Sequence, residues 1–432
     1  MVEIALLAIA ILVILLTLGV PLPYCFGGGL MVMYFIGDTT MKGNMLWGYQ
    51  QMGNPVILAI PLFILAGTIM AESGIAAALL RFVNAFVGHI RGGLGVVATV
   101  SCAIIGAISG SGLTGVAAIG PLLIPEMAAK GYPREYATAL VANASLLGLL
   151  IPPSVTMIVY GWVTDTSILA CFLSTLGPGL LVMLFFSLAN IWMSRKFDLV
   201  LDKKPSFSKL VSNVSKQGFN AAPALLMPII ILGGIYGGIV TPTEAAAIAV
   251  IYSLPVGFLI YKGLTIKNFL VIGKEAATAV GAIMLMILFS MILSQMLTLE
   301  SIPQKLVQAI FSITENKIAL LILVNILLFF TGMIVNDLTA VILIGPLLLP
   351  LMTAIGVSPV QFAAIMGVNT AMGGVTPPYA SVLYLGARIG NVKVTKVIPP
   401  AMTLIAVGYL PVVVLTSAWP DLSLFLPRLF GY

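Results

Sequence analysis

The sequence has 432 residues, of which 60% are hydrophobic and only 8% are charged. This composition excludes a soluble globular protein, because apolar runs of about 20 residues, each long enough to cross a bilayer, follow one another through the chain. The net charge of +6 does not indicate nucleic-acid binding, since the basic residues are scattered over short loops, as is typical of membrane topology signals. We therefore expect an all-α polytopic membrane protein that contacts the lipid bilayer and no nucleic acid.

The apolar runs predict ten membrane spans and two re-entrant hairpins. The first apolar run lacks the basic segment and the small-residue cleavage site of a signal peptide, so we expect it to remain as a span. Two longer apolar stretches, 92–125 and 317–350, are interrupted by polar residues and are predicted to be re-entrant hairpins whose polar tips face a site. Ten full spans are predicted around them: 2–20, 21–37, 55–71, 137–163, 168–194, 219–240, 244–262, 276–297, 360–386 and 398–418.

An internal repeat relates the two hairpins. The segments "LTGVAAIGPLLIP" at 113–125 and "LTAVILIGPLLLP" at 338–350 share nine of thirteen residues without a gap, at an offset of 225. Each half holds five spans and one hairpin, and an odd number of crossings inverts the second half in the membrane. The predicted organisation is a first inverted repeat (1–195), a cytoplasmic basic linker (196–218), a second inverted repeat (219–418) and a C-terminal tail (419–432).

The distribution of basic residues predicts the orientation in the membrane. With the N-terminus outside, sixteen Lys and Arg residues lie inside, Lys203 and Lys204 of the linker among them, and four lie outside. Both termini are therefore expected on the outer side, with the first hairpin opening inward and the second outward. The segments 72–86 and 300–313, each just before a hairpin, have the pattern of amphipathic interfacial helices; solvated loops are the alternative.

Each hairpin is followed by a span that contains a Pro-Pro pair near its middle, in "NASLLGLLIPPSV" and "NTAMGGVTPPYAS". Proline has no amide hydrogen and blocks a helical hydrogen bond, so carbonyls of the preceding turn are left without helical partners. Such carbonyls, together with Ser, Thr or Asp side chains, supply the oxygens that a hard monovalent cation needs. We therefore predict two or more sodium ions in two sites related by the repeat, with a purely structural kink as the alternative.

The repeat also selects candidate sodium ligands, as side chains or as unwound carbonyls. The candidates are Ser109, Gly112, Gly148, Ile151 and Pro153 for the first site, and Asp337, Gly373, Thr376 and Pro378 for the second. Asp337 lies inside an apolar run, where a buried unpaired carboxylate is costly. We expect this carboxylate to be paired, protonated or bound to a cation; a helix-capping role is the alternative.

Other polar residues have simpler interpretations. Thr241 and Glu244 have capping-box spacing, with Pro242 in the first helical turn. His89, the single histidine, is expected at the membrane interface, and three isolated cysteines indicate neither a disulfide framework nor a metal site. One histidine excludes an HExxH zinc site, and one aspartate at membrane depth excludes an aspartyl dyad, so we expect no enzyme activity.

Three motifs carry a resemblance to a known family: "IGPLLIPEM" and "IPPS" in the first half, and "GIVTPTEAAAIAVIY" at 238–252. Essentially the whole chain resembles the large membrane subunit of tripartite ATP-independent periplasmic (TRAP) transporters. The hairpin tip "SGSGLTG" departs from the more Ser- and Ala-rich tip of many members. The resemblance implies a sodium-driven elevator in a bacterial inner membrane, working with a small four-span membrane subunit and a periplasmic substrate-binding protein.

The resemblance further implies organic acid substrates, with sialic acid and C4-dicarboxylates as the candidates. Four polar residues precede the helix breaks and are candidate linings of the substrate cavity, with helix packing as an equal alternative: Asn143, Ser145, Asn369 and Thr370. A stand-alone sodium-coupled carboxylate symporter is the nearest alternative function. A channel with re-entrant pore loops is a further alternative, because selectivity filters also use exposed carbonyls.

Overall fold

A computed structural model describes residues 2–37, 41–201 and 206–432. Nearly all of these residues are helical and none forms a β-strand, which confirms the all-α membrane class. Lys203 and Lys204 of the predicted linker lie outside the described residues. The first half contains α1 (Val2–Thr17), α2 (Leu22–Gly37), α3 (Met41–Met52), α4 (Ala59–Glu72), α5 (Ile75–Val87), α6 (Gly93–Ser109), α7 (Gly112–Ala129), α8 (Arg134–Ser145), α9 (Val155–Val163) and α10 (Ile168–Met193).

The second half continues the chain with eleven α-helices among the described residues. Two of its long helical segments pass through a π-helical turn, at Val256–Ile260 and at Ile405–Tyr409. The helices are α11 (Phe207–Tyr236), α12 (Pro242–Pro255), α13 (Ile266–Leu299), α14 (Ile302–Phe311), α15 (Lys317–Ile334), α16 (Asp337–Ala354), α17 (Pro359–Gly373), α18 (Ser381–Ile389), α19 (Val394–Leu404), α20 (Leu410–Ala418) and α21 (Asp421–Leu429).

The number of membrane-spanning helices differs from the ten predicted spans. Eight described helices are long and apolar enough to cross a membrane, or up to nine if the bent pair α4 and α5 counts as one span. The predicted spans 137–163 and 360–386 are each divided at the Pro-Pro pair, into α8 and α9 and into α17 and α18. Conversely, the hairpin arms α7, α15 and α16 reach spanning length themselves. The helix breaks and the hairpins therefore account for much of the difference.

Three helical regions lie outside the helices predicted from the sequence. Helix α3 lies between two predicted spans, α11 begins at Phe207 inside the predicted linker, and α21 occupies the predicted tail. The last of these packs against α10, where the Leu422 carbonyl comes so close to Gly177 that a Cβ there would lie 2.5 Å from the oxygen. Tertiary contact therefore orders a segment whose sequence shows no span-length apolar run.

Several local expectations are confirmed. Thr241 and Glu244 form the capping box of α12, with the Thr241 amide donating to Glu244 Oε2 at 2.7 Å and the Glu244 amide donating to Thr241 Oγ1 at 3.3 Å. The segments before the hairpins are helical, as α5 and α14, and α5 meets α4 at an angle of 69°. Cys25, Cys102 and Cys171 are buried.

The two halves pack against each other reciprocally. Helix α7, the second arm of the first hairpin, packs against α18 of the second half, and α16, the second arm of the second hairpin, packs against α9 of the first. Two buried tyrosines add hydrogen bonds between the halves: Tyr160 donates to the Pro359 carbonyl at 2.7 Å, and Tyr409 donates to the Asn143 carbonyl at 2.9 Å. The offset of 225 relates α7 to α16 and α9 to α18, so the two helix contacts correspond to each other between the repeats.

Candidate ion and substrate site

A cavity of about 110 Å³ lies where the two hairpin tips and the two broken spans meet. Both tips contribute to its wall, through residues 110–113 and 336–338, and both broken spans contribute residues next to their breaks. Helices α4 and α13 close the remaining side with apolar residues. The wall residues outside the tips are Ile64, Leu146, Leu149, Val155, Ile283, Thr370, Gly374, Tyr379, Ser381 and Val382.

The tip of the first hairpin lies directly on the first break. Gly110 has a left-handed backbone with φ of 62°, and a Cβ there would lie 2.9 Å from the Pro153 carbonyl oxygen. Both the backbone angle and this close approach require glycine. Ser109 ends α6 and is buried, and its hydroxyl lies 3.4 Å from the Ser111 carbonyl oxygen. The tip therefore brings a hydroxyl and backbone oxygens to the first break.

The first break replaces regular helix with a short 3-10 turn, Leu146–Leu149, and a cis peptide bond joins Pro152 to Pro153. Gly148 packs on the first hairpin arm, where its added Cβ would lie 2.7 Å from Gly106 Cα. The Ile151 amide donates to the Leu147 carbonyl at 2.8 Å, and Ile151 is 9% exposed. The structure thus brings Gly148 and Pro153 against the tip that Ser109 precedes, with Gly112 on the cavity wall, whereas the Ile151 side chain packs toward Gly179 of α10.

The tip of the second hairpin presents a carboxylate. Asn336 is the N-cap of α16, because its Oδ1 accepts a hydrogen bond from the Thr339 amide at 2.9 Å. Asp337 is the first helical residue, is half-buried, and accepts a hydrogen bond from the Thr156 hydroxyl at 2.7 Å. The side-chain cap is therefore supplied by Asn336, and the Asp337 carboxylate faces the cavity with a partner from the opposite half.

The second break resembles the first, with a difference at its prolines. Gly373 packs on α15, where an added Cβ would lie 2.6 Å from Gly332 Cα, and Pro377-Pro378 is also a cis bond. Thr376 is buried; its amide donates to the Gly373 carbonyl at 2.9 Å and its hydroxyl to the Met372 carbonyl at 2.8 Å. Pro378 is exposed, unlike Pro153, and its carbonyl accepts from the Tyr384 hydroxyl at 2.7 Å.

Of the four predicted substrate residues, Thr370 lies on the cavity wall and the other three lie away from it. The buried Asn143 amide donates to the Ala139 carbonyl at 2.9 Å, and the buried Ser145 hydroxyl donates to the Ala142 carbonyl at 2.8 Å. The Asn369 amide donates to Asn325 Oδ1 at 2.8 Å. These donors therefore bond within the helical packing, while Asn143 Oδ1 and Asn369 Oδ1 are buried and accept no hydrogen bond from the described residues.

Four polar wall residues were not selected from the sequence: Ser111, Asn336, Tyr379 and Ser381. The offset of 225 pairs Ser111 with Asn336, so the repeat itself contained a signal for two of them. Tyr379 and Ser381 follow the second Pro-Pro pair, whereas the unwound carbonyls predicted from the sequence precede it. Their hydroxyls are hydrogen-bond donors that an anionic group can use.

The electrostatics of the cavity are dominated by one group. Among the described residues that form the wall, Asp337 is the charged one, and the others offer hydroxyls, an amide or backbone atoms. Within the described part of the chain no three His, Cys, Asp or Glu residues cluster as a metal site. One carboxylate with neutral oxygens is a donor set suited to a hard monovalent cation.

The comparison with known families covers the cavity and both repeats. Residues 9–422 match the model of the family described as tripartite ATP-independent periplasmic transporter, DctM component. The chain belongs to the DctM family. These proteins are transporter permeases and not enzymes, in agreement with the sequence analysis. Permeases of this family work with a small membrane subunit and a periplasmic binding protein.

Individual DctM relatives are similar over most of this chain. It is 36% identical to the isethionate TRAP transporter permease protein DctMQ of Oleidesulfovibrio alaskensis over 85% of the chain, and it spans 58% of that longer relative. It is 32% identical to the sialic acid TRAP transporter large permease SiaM of Vibrio cholerae, over 95% of the chain and 96% of SiaM. It is also 32% identical to the C4-dicarboxylate TRAP transporter large permease DctM of Pseudomonas aeruginosa, over 94% of the chain and 93% of that permease.

Solved structures share the DctM fold at low sequence identity. The YdaH transporter of Alcanivorax borkumensis superposes with a TM-score of 0.60 at 16% identity, covering 94% of this chain and 89% of YdaH. MtrF of Neisseria gonorrhoeae superposes with a TM-score of 0.55 at 15% identity, covering 86% of this chain and 82% of MtrF. At these identities the likeness supports the fold of a membrane transporter.

Proposed function

We propose that this permease carries out sodium-driven secondary uptake of an organic acid that a periplasmic binding protein delivers. The single observation that carries the proposal is the cavity between two hairpin tips and two broken spans, with the Asp337 carboxylate on its wall. Membrane sites built from discontinuous helices commonly hold a coupling cation beside a substrate. Family membership supports the transport role, and the cavity supports the coupling.

We propose two sodium sites, one at each hairpin tip. The second site uses the Asp337 carboxylate with oxygens of Gly373 and Thr376 and of the region before Pro378; the negative charge offsets much of the cost of desolvating the ion. The first site uses the Ser109 hydroxyl and the backbone at Gly112, with carbonyls of Gly148, Ile151 and Pro153. It consists of neutral oxygens, so we expect weaker binding there than at the second site.

The charge of Asp337 suggests an order of binding. An anionic acid that enters the cavity before sodium meets an unneutralised carboxylate, and at about 4 Å two like charges repel by about 4 kcal/mol at the effective dielectric constant of a protein site. Sodium at Asp337 removes this repulsion. The acid then accepts hydrogen bonds from donors on the wall, such as Ser381 and Tyr379, so we propose that sodium binds first.

The substrate class is inferred from the relatives and from these donors. The names of similar permeases refer to isethionate, sialic acid and C4-dicarboxylates, which are anionic organic acids. We propose sialic acid or a C4-dicarboxylate as the substrate, with Thr370 on the wall and Asn143, Ser145 and Asn369 supporting the broken spans behind it. The protein is proposed to lie in a bacterial inner membrane with both termini in the periplasm.

The proposed mechanism is an elevator. The hairpins and the broken spans pack on one another across the two halves, so they form a body that can move as a unit. Helices α4 and α13 contact this body at α6, α7 and α16 and are the candidates for a fixed frame. Movement of the cavity past this frame would expose it on one side of the membrane and then on the other.

Reconstitution tests the proposal. The permease, with its small subunit and binding protein, is placed in proteoliposomes, and uptake of labelled sialic acid, succinate and isethionate is measured with and without a sodium gradient. We expect uptake of sialic acid or succinate that saturates, requires sodium and requires the binding protein, whereas uptake of isethionate alone would contradict the proposed substrates. Sodium-driven uptake by the permease alone would instead support a stand-alone symporter, and non-saturating flux would support a channel.

A further inference from the structure

A second crevice, separate from the central cavity, opens on the outside of the helix bundle. Its volume is about 470 Å³, and it lies between α5, α11 and the end of α12 with its π-helical turn. None of the predicted ion or substrate residues lines it. Its wall includes Arg81, Phe219, Leu226, Tyr252, Ile260 and Tyr261.

One part of the crevice is apolar and open. The exposed fractions of Phe219, Leu226 and Ile260 are 83%, 46% and 53%. These side chains come from two helices that are both long and apolar enough to cross a membrane. Together they form a surface on which acyl chains can lie.

The other part of the crevice carries positive charge. Arg81 is exposed on α5, and its guanidinium makes no ion pair or hydrogen bond with the described residues. Lys216 and Lys262 are not part of the wall but lie next to it in the chain: Lys216 is one helical turn before Phe219 on α11, and Lys262 follows Tyr261 directly. No acidic residue is among the described residues that line the crevice. All three cations belong to the set that the charge distribution places on the cytoplasmic side.

The tyrosines hold the walls of the crevice in place. Tyr252 donates a hydrogen bond to the Pro223 carbonyl at 2.8 Å, and Tyr261 donates one to the Asn220 carbonyl at 2.7 Å. Both acceptors lie on α11, so these bonds tie the end of α12 to α11 across the floor of the crevice. With both hydroxyl hydrogens already used, the donors left on the wall are the Asn220 side-chain amide and the charged Arg81 guanidinium.

We propose that this crevice binds an anionic phospholipid. The Arg81 guanidinium donates to the lipid phosphate, since its planar set of donors matches phosphate oxygens in pairs. The acyl chains lie along Phe219, Leu226 and Ile260. Basic pockets between membrane helices on the cytoplasmic side bind anionic headgroups, and aromatic residues are enriched at the same depth. The bound lipid joins α5 to α11 and α12, independently of what the central cavity transports.

Lipid binding to the purified full-length permease, with its small subunit where the two are purified as a complex, tests this proposal. The probes are phosphatidylglycerol and phosphatidylcholine in mixed micelles, with bound lipid counted by native mass spectrometry. We expect the wild type to prefer phosphatidylglycerol, and R81Q to lose about five-fold in affinity for it, which corresponds to about 1 kcal/mol. R81K, which keeps the charge but loses the paired donors, should fall between them.

The matched control is R388Q, which removes the same charge from an exposed arginine at the end of α18. R388Q should retain the preference of the wild type. The variant F219A, which changes an exposed side chain, should weaken the binding of both lipids without removing the preference for phosphatidylglycerol. Equal preference in R81Q and R388Q would overturn the proposal. Displacement of phosphatidylglycerol by millimolar inorganic phosphate would also overturn it, because the ligand would then be a free anion.

Discussion

The Thr156 hydroxyl donates a hydrogen bond of 2.7 Å to Asp337 Oδ2, and this bond joins the two repeats at the central cavity. Thr156 lies in the first turn of α9, directly beyond the first Pro-Pro break, whereas Asp337 begins α16 at the tip of the second hairpin. The orientation of the charged group at the proposed second sodium site is therefore fixed by a helix of the first half.

Replacing Thr156 with Val should weaken sodium binding. Valine has nearly the same shape as threonine but lacks the hydroxyl, so the Asp337 carboxylate loses a hydrogen bond of a kind that contributes about 1.5–3 kcal/mol when one partner is charged. We expect the sodium concentration for half-maximal uptake to rise on the order of ten-fold. Thr156→Ser, which keeps the hydroxyl, should remain close to the wild type.

A second expectation concerns the polar wall of the cavity. Ser381 lies on the wall, and we expect Ser381→Ala to raise the KM for the acid on the order of ten-fold, because a hydrogen bond to a carboxylate is lost. Ser145→Ala is the matched control, since the Ser145 hydroxyl bonds within its own helix away from the cavity. Uptake rates measured against acid concentration check both variants. A larger change in KM for Ser145→Ala would place the substrate elsewhere.

The close contacts between hairpin arms and breaks predict steric sensitivity. A Cβ on Gly106 would lie 2.3 Å from Gly148 Cα, and a Cβ on Gly373 would lie 2.6 Å from Gly332 Cα. We expect Gly106→Ala and Gly373→Ala to destabilise the protein by about 1–3 kcal/mol, as overpacking does, and to reduce transport. Gly273→Ala in α13 meets no atom within 4 Å and should be neutral or stabilising. Thermal unfolding in detergent measures the difference.

The inversion of the second repeat that the sequence predicts determines which side each hairpin should open to. Ala129 and Ala354 are related by the offset of 225, each ends the second arm of its hairpin, and both are exposed. Ala129→Cys should react with a membrane-impermeant thiol reagent only from the cytoplasmic side, and Ala354→Cys only from the periplasmic side. The three native cysteines are buried, so they give little background. Labelling of both positions from one side would contradict the inversion.

The hairpins and the breaks could be predicted from the sequence because proline and glycine act on the backbone locally. The Thr156–Asp337 pair could not, since the two residues are 181 positions apart and meet through packing between the repeats. The sequence also could not show that Asn143 and Ser145 lie away from the cavity. The 3-10 turn at Leu146–Leu149 follows them and changes the helical phase, so their distance from the break in sequence did not fix the direction they face.

The short helices α3 and α21 were missed for a different reason. Each is too short and too polar to resemble a span, and α21 is ordered by its contact with α10. Only a part of the cavity wall could be predicted from the sequence. Gly112, Asp337 and Thr370 were selected from the sequence and lie on it, while Ser111 and Asn336 were available from the repeat but were not selected.

The most direct test of the account is the sodium dependence of uptake in Asp337→Asn. Asparagine keeps one oxygen and nearly the same shape but removes the charge, and the side-chain cap of α16 remains because Asn336 supplies it. Asp165→Asn is the matched control, at an exposed position whose left-handed backbone, with φ of 51°, tolerates asparagine. We expect sodium affinity to fall on the order of ten-fold or more in Asp337→Asn, the equivalent of about 1.4 kcal/mol, and to stay unchanged in Asp165→Asn. An unchanged sodium dependence of Asp337→Asn at normal expression would contradict the proposed ligand role.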